Sequence, residues 1–230
     1  MKDFKKTAKV VGILFVIGTV AGIMSLSAAS IIHTEDYLNS ISGKDSGVVL
    51  GALLTLIMGI SLSMIPVILF PILRKYNEAV ALGAVIFRGA LELITYMGIA
   101  SVWLLLLALS QKYAGVEMSE AANYRLMGSV LLDVETRFTN MLDIVFSIGA
   151  LFIYYLFYQM RLIPTWISIW GLIGAALYLV YPILILLGVE LEILQIPLAV
   201  QEMVMAGWLI IKGFKTDSLE QYAVRKQAIV

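Results

Sequence analysis

The sequence predicts an all-α polytopic membrane protein, a bundle of six transmembrane helices with both termini in the cytoplasm. Three observations lead there. Of its 230 residues, 61% are hydrophobic and 14% charged, with a mean hydropathy of +0.95, a composition outside the range of soluble domains. Six segments, roughly 9–32, 47–73, 79–110, 129–159, 162–188 and 194–213, are apolar for the ~20 residues a helix needs to cross a hydrocarbon core. The connections between them alternate in basic content, which sets the orientation.

The first segment follows Lys2, Lys5, Lys6 and Lys9 and ends in Ser27, Ala28, Ala29 and Ser30, which gives it the look of a secretory signal. Its apolar run exceeds the ~7–15 residues of a signal core, so it reads as a retained anchor. The second ends at Arg74 and Lys75, the third starts after Tyr76-Asn77-Glu78, and the stretch 112–127 leaves room for a short surface helix. The fourth and fifth flank a turn at Arg161 and Pro164, where Tyr154, Tyr155, Tyr158, Trp166 and Trp170 read as an interfacial aromatic belt. The sixth ends at Lys212. Gly18 and Gly22, Gly47 and Gly51, and Gly171 and Gly174 lie at spacings that let helices approach closely. On this reading residues 1–214 are a six-helix transmembrane domain and 215–230 a charged cytoplasmic tail.

One set of helix ends carries Lys2, Lys5, Lys6, Lys9, Arg74, Lys75, Arg161, Lys212, Lys215, Arg225 and Lys226; the other carries Lys44, Lys112, Arg125 and Arg137. The positive-inside rule places the first set in the cytoplasm. The outer connections are acidic, with Glu35, Asp36, Asp45, Glu117, Glu120, Glu190 and Glu192. No internal repeat is visible, which weakens an inverted-repeat transporter reading.

Sixteen basic and sixteen acidic residues give a formal net charge of zero, which offers no reason to expect a nucleic-acid partner. The absence of cysteine removes disulfides and thiolate sites, and a single histidine, His33, is too little for a zinc centre; it reads as a solvated loop residue. There is no His-Glu-x-x-His, no phosphate-binding Gly-Lys loop and no Gly-x-Ser-x-Gly elbow, so no metal, cofactor or catalytic residue is assigned.

The informative residues are the ionisable ones inside the spans, because a charge at the bilayer centre costs about 2.5–3.5 kcal/mol even on a lenient scale and must face protein or water. Arg88 and Glu92, four apart, share a helix face; Asp133, Arg137, Asn140 and Asp143 form a second stripe; Gln195, Gln201 and Glu202 mark the last span. Arg88 lies ten residues from Glu78 and Glu202 ten from Lys212, so at ~1.5 Å per residue both stand about 15 Å deep. They are expected to form a buried ion pair. Glu92 and Asp143 come out in the outer half, with no evident basic partner at their own depth. With Asn140, Gln195, Thr95, Tyr96, Tyr178 and Tyr181 at similar heights, an outward-opening polar cavity is expected, narrowing at Arg88 and Glu202, with Arg137 and Asp133 at its mouth.

Three stretches stand out together: Phe87-Arg88-Gly89-Ala90-Leu91-Glu92; Tyr154-Tyr155-Leu156-Phe157-Tyr158-Gln159 through Arg161-Leu162-Ile163-Pro164 to Trp166 and Trp170-Gly171-Leu172-Ile173-Gly174; and Gln201-Glu202-Met203-Val204 through Trp208 to Lys212-Gly213-Phe214. Together with Gly12-Ile13-Leu14-Phe15 and Tyr76-Asn77-Glu78, over about residues 8–214, the chain resembles the bacterial integral-membrane family known as domain of unknown function 4386. The resemblance implies a compact bundle of about six helices in a bacterial cytoplasmic membrane and carries no established activity.

Three functions stay open. The first is binding, with or without transport, of a small polar molecule, a lipid or a cation in the outward cavity by Arg88, Glu92, Tyr96, Arg137, Asn140, Asp143, Gln195, Gln201 and Glu202. The second is a structural or accessory membrane subunit in which the buried pair only locks helices together. The third is an intramembrane enzyme using Glu92, Asp143 and Tyr96 for acid–base work; it ranks last because no nucleophile or metal constellation is present. The lipid bilayer is the one partner the sequence implies, and the oligomeric state is open. Sorting charge by compartment favours the first reading: the interior sets Arg88 against Glu92, Asp143 and Glu202, an acidic excess suited to a proton, a cation or a cationic ligand.

Overall fold

The computed structural model describes residues 2–42, 45–117 and 119–215. Lys44, Arg225, Lys226 and the rest of the tail from residue 216 lie outside the described residues, as do the side chains of Lys2 and Asp45. The elements are α1 (Lys2–Ala28), a 3-10 turn (Ser30–His33), α2 (Tyr37–Ser42), α3 (Asp45–Leu73), α4 (Glu78–Ala84), a π-helical segment (Val85–Leu91), α5 (Glu92–Tyr113), α6 (Ala121–Met160), α7 (Thr165–Leu186), a 3-10 turn (Glu192–Leu194) and α8 (Ile196–Ile211). No strand occurs among the described residues, and six helical stretches are long and apolar enough to cross a membrane.

Two features depart from the sequence reading. Among its described residues the stretch 112–127 holds no separate surface helix: α5 runs to Tyr113, and α6 begins at Ala121 and continues unbroken for 40 residues. Its first turns contain Ala121, Ala122, Arg125, Leu126 and Met127, strong helix formers with no proline to stop them. A short helix forms instead before α3, where α2 buries Leu38 and Ile41.

The ends of the helices follow local rules. Asn77 caps α4 by accepting from the Val80 amide at 3.1 Å. After α7, Gly188 takes a φ of 78° while its amide bonds to Ile185 O and that of Val189 to Leu184 O, a Schellman arrangement that satisfies two terminal carbonyls. Arg161 does the same work after α6 with a φ of 51°, unusual for a residue with a Cβ. Pro66 and Pro71 lie inside α3 and Pro182 inside α7; neighbouring groups in a membrane protein re-satisfy the backbone that proline frees.

The described residues divide into two compact units. One comprises Met1–Ile17, Ser61–Glu92 and Asp143–Val230, to the extent these are described; the other comprises Gly18–Ile60 and Leu93–Leu142. In the first, α1 meets α8 where a Cβ on Gly12 would fall 2.8 Å from Ala206 O, and α7 meets α8 where one on Gly174 would fall 3.1 Å from the Leu198 backbone. Such contacts hold helices together by dispersion, since lipid removes most of the hydrophobic drive between them.

The second unit has a core of Ile32, Ile41, Val48, Ile99, Trp103 and Leu106. Its buried polar groups are paired across helices: the Ser25 hydroxyl donates to Gly51 O at 2.8 Å and lies 2.6 Å from Thr55 Oγ1, and the Ser110 hydroxyl donates to Leu38 O. Trp103 Nε1 donates to Glu135 Oε1 at 3.1 Å, and the largely exposed His33 brings Nε2 within 3.8 Å of the same oxygen.

Close approach and helix propensity make opposite demands on two glycines. A Cβ on Gly51 would meet Ala29 Cβ at 2.8 Å and Ser25 O at 3.2 Å, whereas one on Gly207 meets nothing within 4 Å. Gly51→Ala is expected to destabilise by about 1–3 kcal/mol through overpacking, and Gly207→Ala to stabilise by about 0.5–1 kcal/mol through reduced backbone freedom. Denaturant melts in mild detergent check both signs; equal effects would overturn the packing argument.

Candidate functional site

The site lies wholly within the first unit and begins with a backbone irregularity. Between Val85 and Leu91 the third apolar span is π-helical, and the Glu92 amide reaches Phe87 O five residues back. A π turn inside an α-helix is rare and concentrates at functional sites. Arg88 is at its centre, 1% exposed.

The Arg88 guanidinium is shared between two carboxylates. Nη2 donates to Glu202 Oε1 on α8 at 2.9 Å, and Nη1 faces Glu92, 3.3 Å from Oε2 and 3.4 Å from Oε1. The Tyr154 hydroxyl donates to the same Glu202 oxygen at 3.4 Å. The guanidinium carbon lies 4.0 Å from the centroid of Phe146 and 5.9 Å from that of Phe15, cation–π contacts that strengthen when desolvated. The planar fork of arginine can serve two acceptors at once, which a lysine ammonium could not do with the same geometry.

Room for this arrangement comes from Gly149 on α6. A Cβ there would stand 2.6 Å from both Arg88 N and Arg88 Cβ, so α6 and the π segment touch backbone to side chain. Gly171 plays a similar part for Tyr154, whose ring would lie 2.5 Å from an added Cβ.

A second polar group stands beside the first. Asp143 on α6 is buried and makes no ion pair among the described residues; Tyr178 of α7 donates to Oδ1 at 3.1 Å and Gln195 Nε2 to Oδ2 at 3.3 Å. Phe146 links the two groups, since the ring that covers Arg88 also meets Tyr178 edge-on at 4.9 Å.

The sequence-derived residues therefore separate. Arg88, Glu92 and Glu202 form one ion triad, and Asp143 with Gln195 a hydrogen-bonded group next to it. Gln201 is buried, but its amide donates to Ile167 O at 3.0 Å and its Oε1 has no partner among the described residues. Three residues belong to the second unit: Tyr96 packs on Gly59, Asn140 is half-buried, and Arg137 is exposed with no ion pair among the described residues. Glu92 does have a basic partner, contrary to the depth argument, because the long Arg88 side chain reaches one turn along its own helix. Tyr154 is not part of an interfacial belt; it is 1% exposed and directed at Glu202. Continuing the Asp143 stripe by four, three and four residues arrives at Ser147, Ala150 and Tyr154, all buried, a periodicity that could have found it.

Removing one member of a buried ion pair leaves an uncompensated charge and is expected to cost about 3–5 kcal/mol, as in Arg88→Met or Glu202→Gln alone. The double variant should recover part of that loss, and the triple Arg88→Met, Glu92→Gln, Glu202→Gln most of it, because one guanidinium serves both carboxylates. Additive losses in detergent-solubilised thermal melts would sink the triad.

No curated protein and no solved structure matches the chain. A family profile covers residues 10–213, including both polar groups, and the chain belongs to the family described as domain of unknown function (DUF4386).

Proposed function

We propose that this integral membrane protein binds a cation, or the cationic group of a small polar or lipid ligand, at Asp143 and the neighbouring Arg88–Glu92–Glu202 triad. In this reading the site is reached from the face opposite the termini, with both termini in the cytoplasm of a bacterial cell. One observation carries it. Within one buried cluster a single guanidinium is set against Glu92 and Glu202, while Asp143 has two hydrogen-bond donors and no ion-pair partner among the described residues. A buried anion without a counter-ion is expensive, and ionisable groups in a membrane interior are by default sites for ions, protons or ligands.

The positions of Tyr178 and Gln195 suit such a role. Both give hydrogen bonds to Asp143, and Gln195 is half-buried at the turn that leads into α8. The triad then acts as the floor of the site, holding α8 and the π segment together beneath it.

A structural reading is favoured by a different observation: Arg88 is fully enclosed and satisfied by Glu92, Glu202 and Phe146. That alone would lock helices together. It leaves Asp143 unexplained, which is why binding is preferred.

The full chain in mild detergent, titrated with Na⁺, K⁺ or tetramethylammonium, is expected to melt higher with at least one of them, by about 2.7 kcal/mol at a hundredfold excess over the dissociation constant. Asp143→Asn should abolish the shift. Identical melts with and without all three cations would discard the binding reading in favour of the structural one. The cysteine-free sequence also permits single-cysteine labelling from outside. Impermeant reagent should modify position 195 and spare position 92; protection of 195 with labelling from the cytoplasmic side would reverse the proposed orientation.

A further inference from the structure

In the second unit, α5 and α6 border an open groove of about 550 Å³. Leu105, Leu109, Met127, Val130 and Leu131 line it, and Lys112 is the one charged residue among its walls. That volume lies within the ~300–1,000 Å³ of small-ligand clefts, and the groove is open along one side.

The polarity of the groove runs along its length. Leu105 is seven residues before Lys112, about 10 Å along α5, so the walls are purely apolar at depth and carry a cation where the helix ends. Lys112 is exposed and makes no ion pair among the described residues. Arg125, whose Nε donates to the hydroxyl of Tyr113 at 3.2 Å, does not line the groove and shares a separate pocket with Glu35 and Asp36, so Lys112 carries the positive charge there. Glu117 and Glu120, on the connection between the helices, are exposed and line no part of the groove.

We infer that this groove is a binding site for an anionic phospholipid, with one acyl chain between Leu105, Met127 and Val130 and the headgroup phosphate at Lys112. The match is one of charge and polarity together. A hydrocarbon chain needs the apolar walls, which offer a water-soluble anion nothing, and a headgroup at the helix end neutralises a lysine that no side chain of the described residues neutralises. Lysines at helix ends extend their charge to the membrane interface while the stem packs on apolar surface, which is the position a headgroup occupies. Independence from the Asp143 site is complete: no residue is shared, and either proposal can fail alone.

Native mass spectrometry of the full chain in mild detergent, supplied in parallel with dioleoylphosphatidylglycerol and dioleoylphosphatidylcholine, tests it. The wild type is expected to retain the anionic lipid preferentially. Lys112→Gln should weaken that retention about fivefold, the share of one interfacial cation, and bring it to the level of the zwitterionic lipid. Val130→Trp, which fills the groove from an exposed position, should reduce retention of both. Retention unchanged in both variants overturns the site. So does competition by inorganic phosphate at the concentration of the lipid, which would mean an anion site without a chain. A wild-type dimer that Val130→Trp converts to monomer with lipid retention intact would assign the face to a second copy and likewise overturn the inference.

Discussion

Everything in the first unit depends on keeping one guanidinium out of water. Arg88 is charged at any accessible pH, so its burial is tolerated only because counter-charge and hydrogen-bond acceptors surround it on several sides. Glu92 comes from its own span, Glu202 from α8, Phe146 from α6 and Phe15 from α1. Four apolar spans thus contribute to one side chain. The π segment that carries it, the glycine on α6 that gives it room and the tyrosine that steadies Glu202 are conditions for that burial, and each would be a poor choice in a helix with no charge to accommodate.

How much of this could be read in the amino-acid order follows from which physical regularities are constant. Helical rise is constant, so counting residues from the charged helix ends at Glu78 and Lys212 is enough to bring Arg88 and Glu202 to one level, and they do meet. The apolar spans were legible for the same reason. Side-chain reach is not constant: Arg88 spans a turn of its own helix, and a depth argument that compares Cα heights leaves Glu92 without the partner it has. The π turn has no sequence signature, since it is a choice among backbone hydrogen bonds made by the surrounding packing. Tyr154 departs from the expected belt: aromatic residues near a turn at a membrane face commonly form one, and three of its neighbours, Tyr155, Tyr158 and Trp166, are indeed exposed.

Sequence spacing treats the remaining polar residues more coarsely. Counting height alone groups Tyr96, Asn140 and Arg137 with Asp143; the fold assigns the first three to the second unit and Asp143 to the first, a division that height does not carry because it says nothing about azimuth around a helix. Glu135 shows the converse. It lies between Asp133 and Arg137 in the sequence, yet it is buried and accepts from Trp103, a residue whose apolar bulk gave no hint of a polar contact. An indole with one N–H to satisfy is a common origin of such pairs, and the partner can be found only once the fold has brought two distant segments together.

Phe146 gives the cluster a property that neither polar group has alone. One face of its ring rests on the guanidinium, and its contact with Tyr178 connects it to the residue that donates to Asp143. The ring cannot change position without altering both sets of contacts. The hydrogen bonds at Asp143 and the contacts of the ion triad are therefore joined through one ring, so a substitution in either group is expected to be non-additive with one in the other. A silent aromatic side chain, with no charge and no hydrogen bond, is what packs two neighbouring polar groups into one contact network.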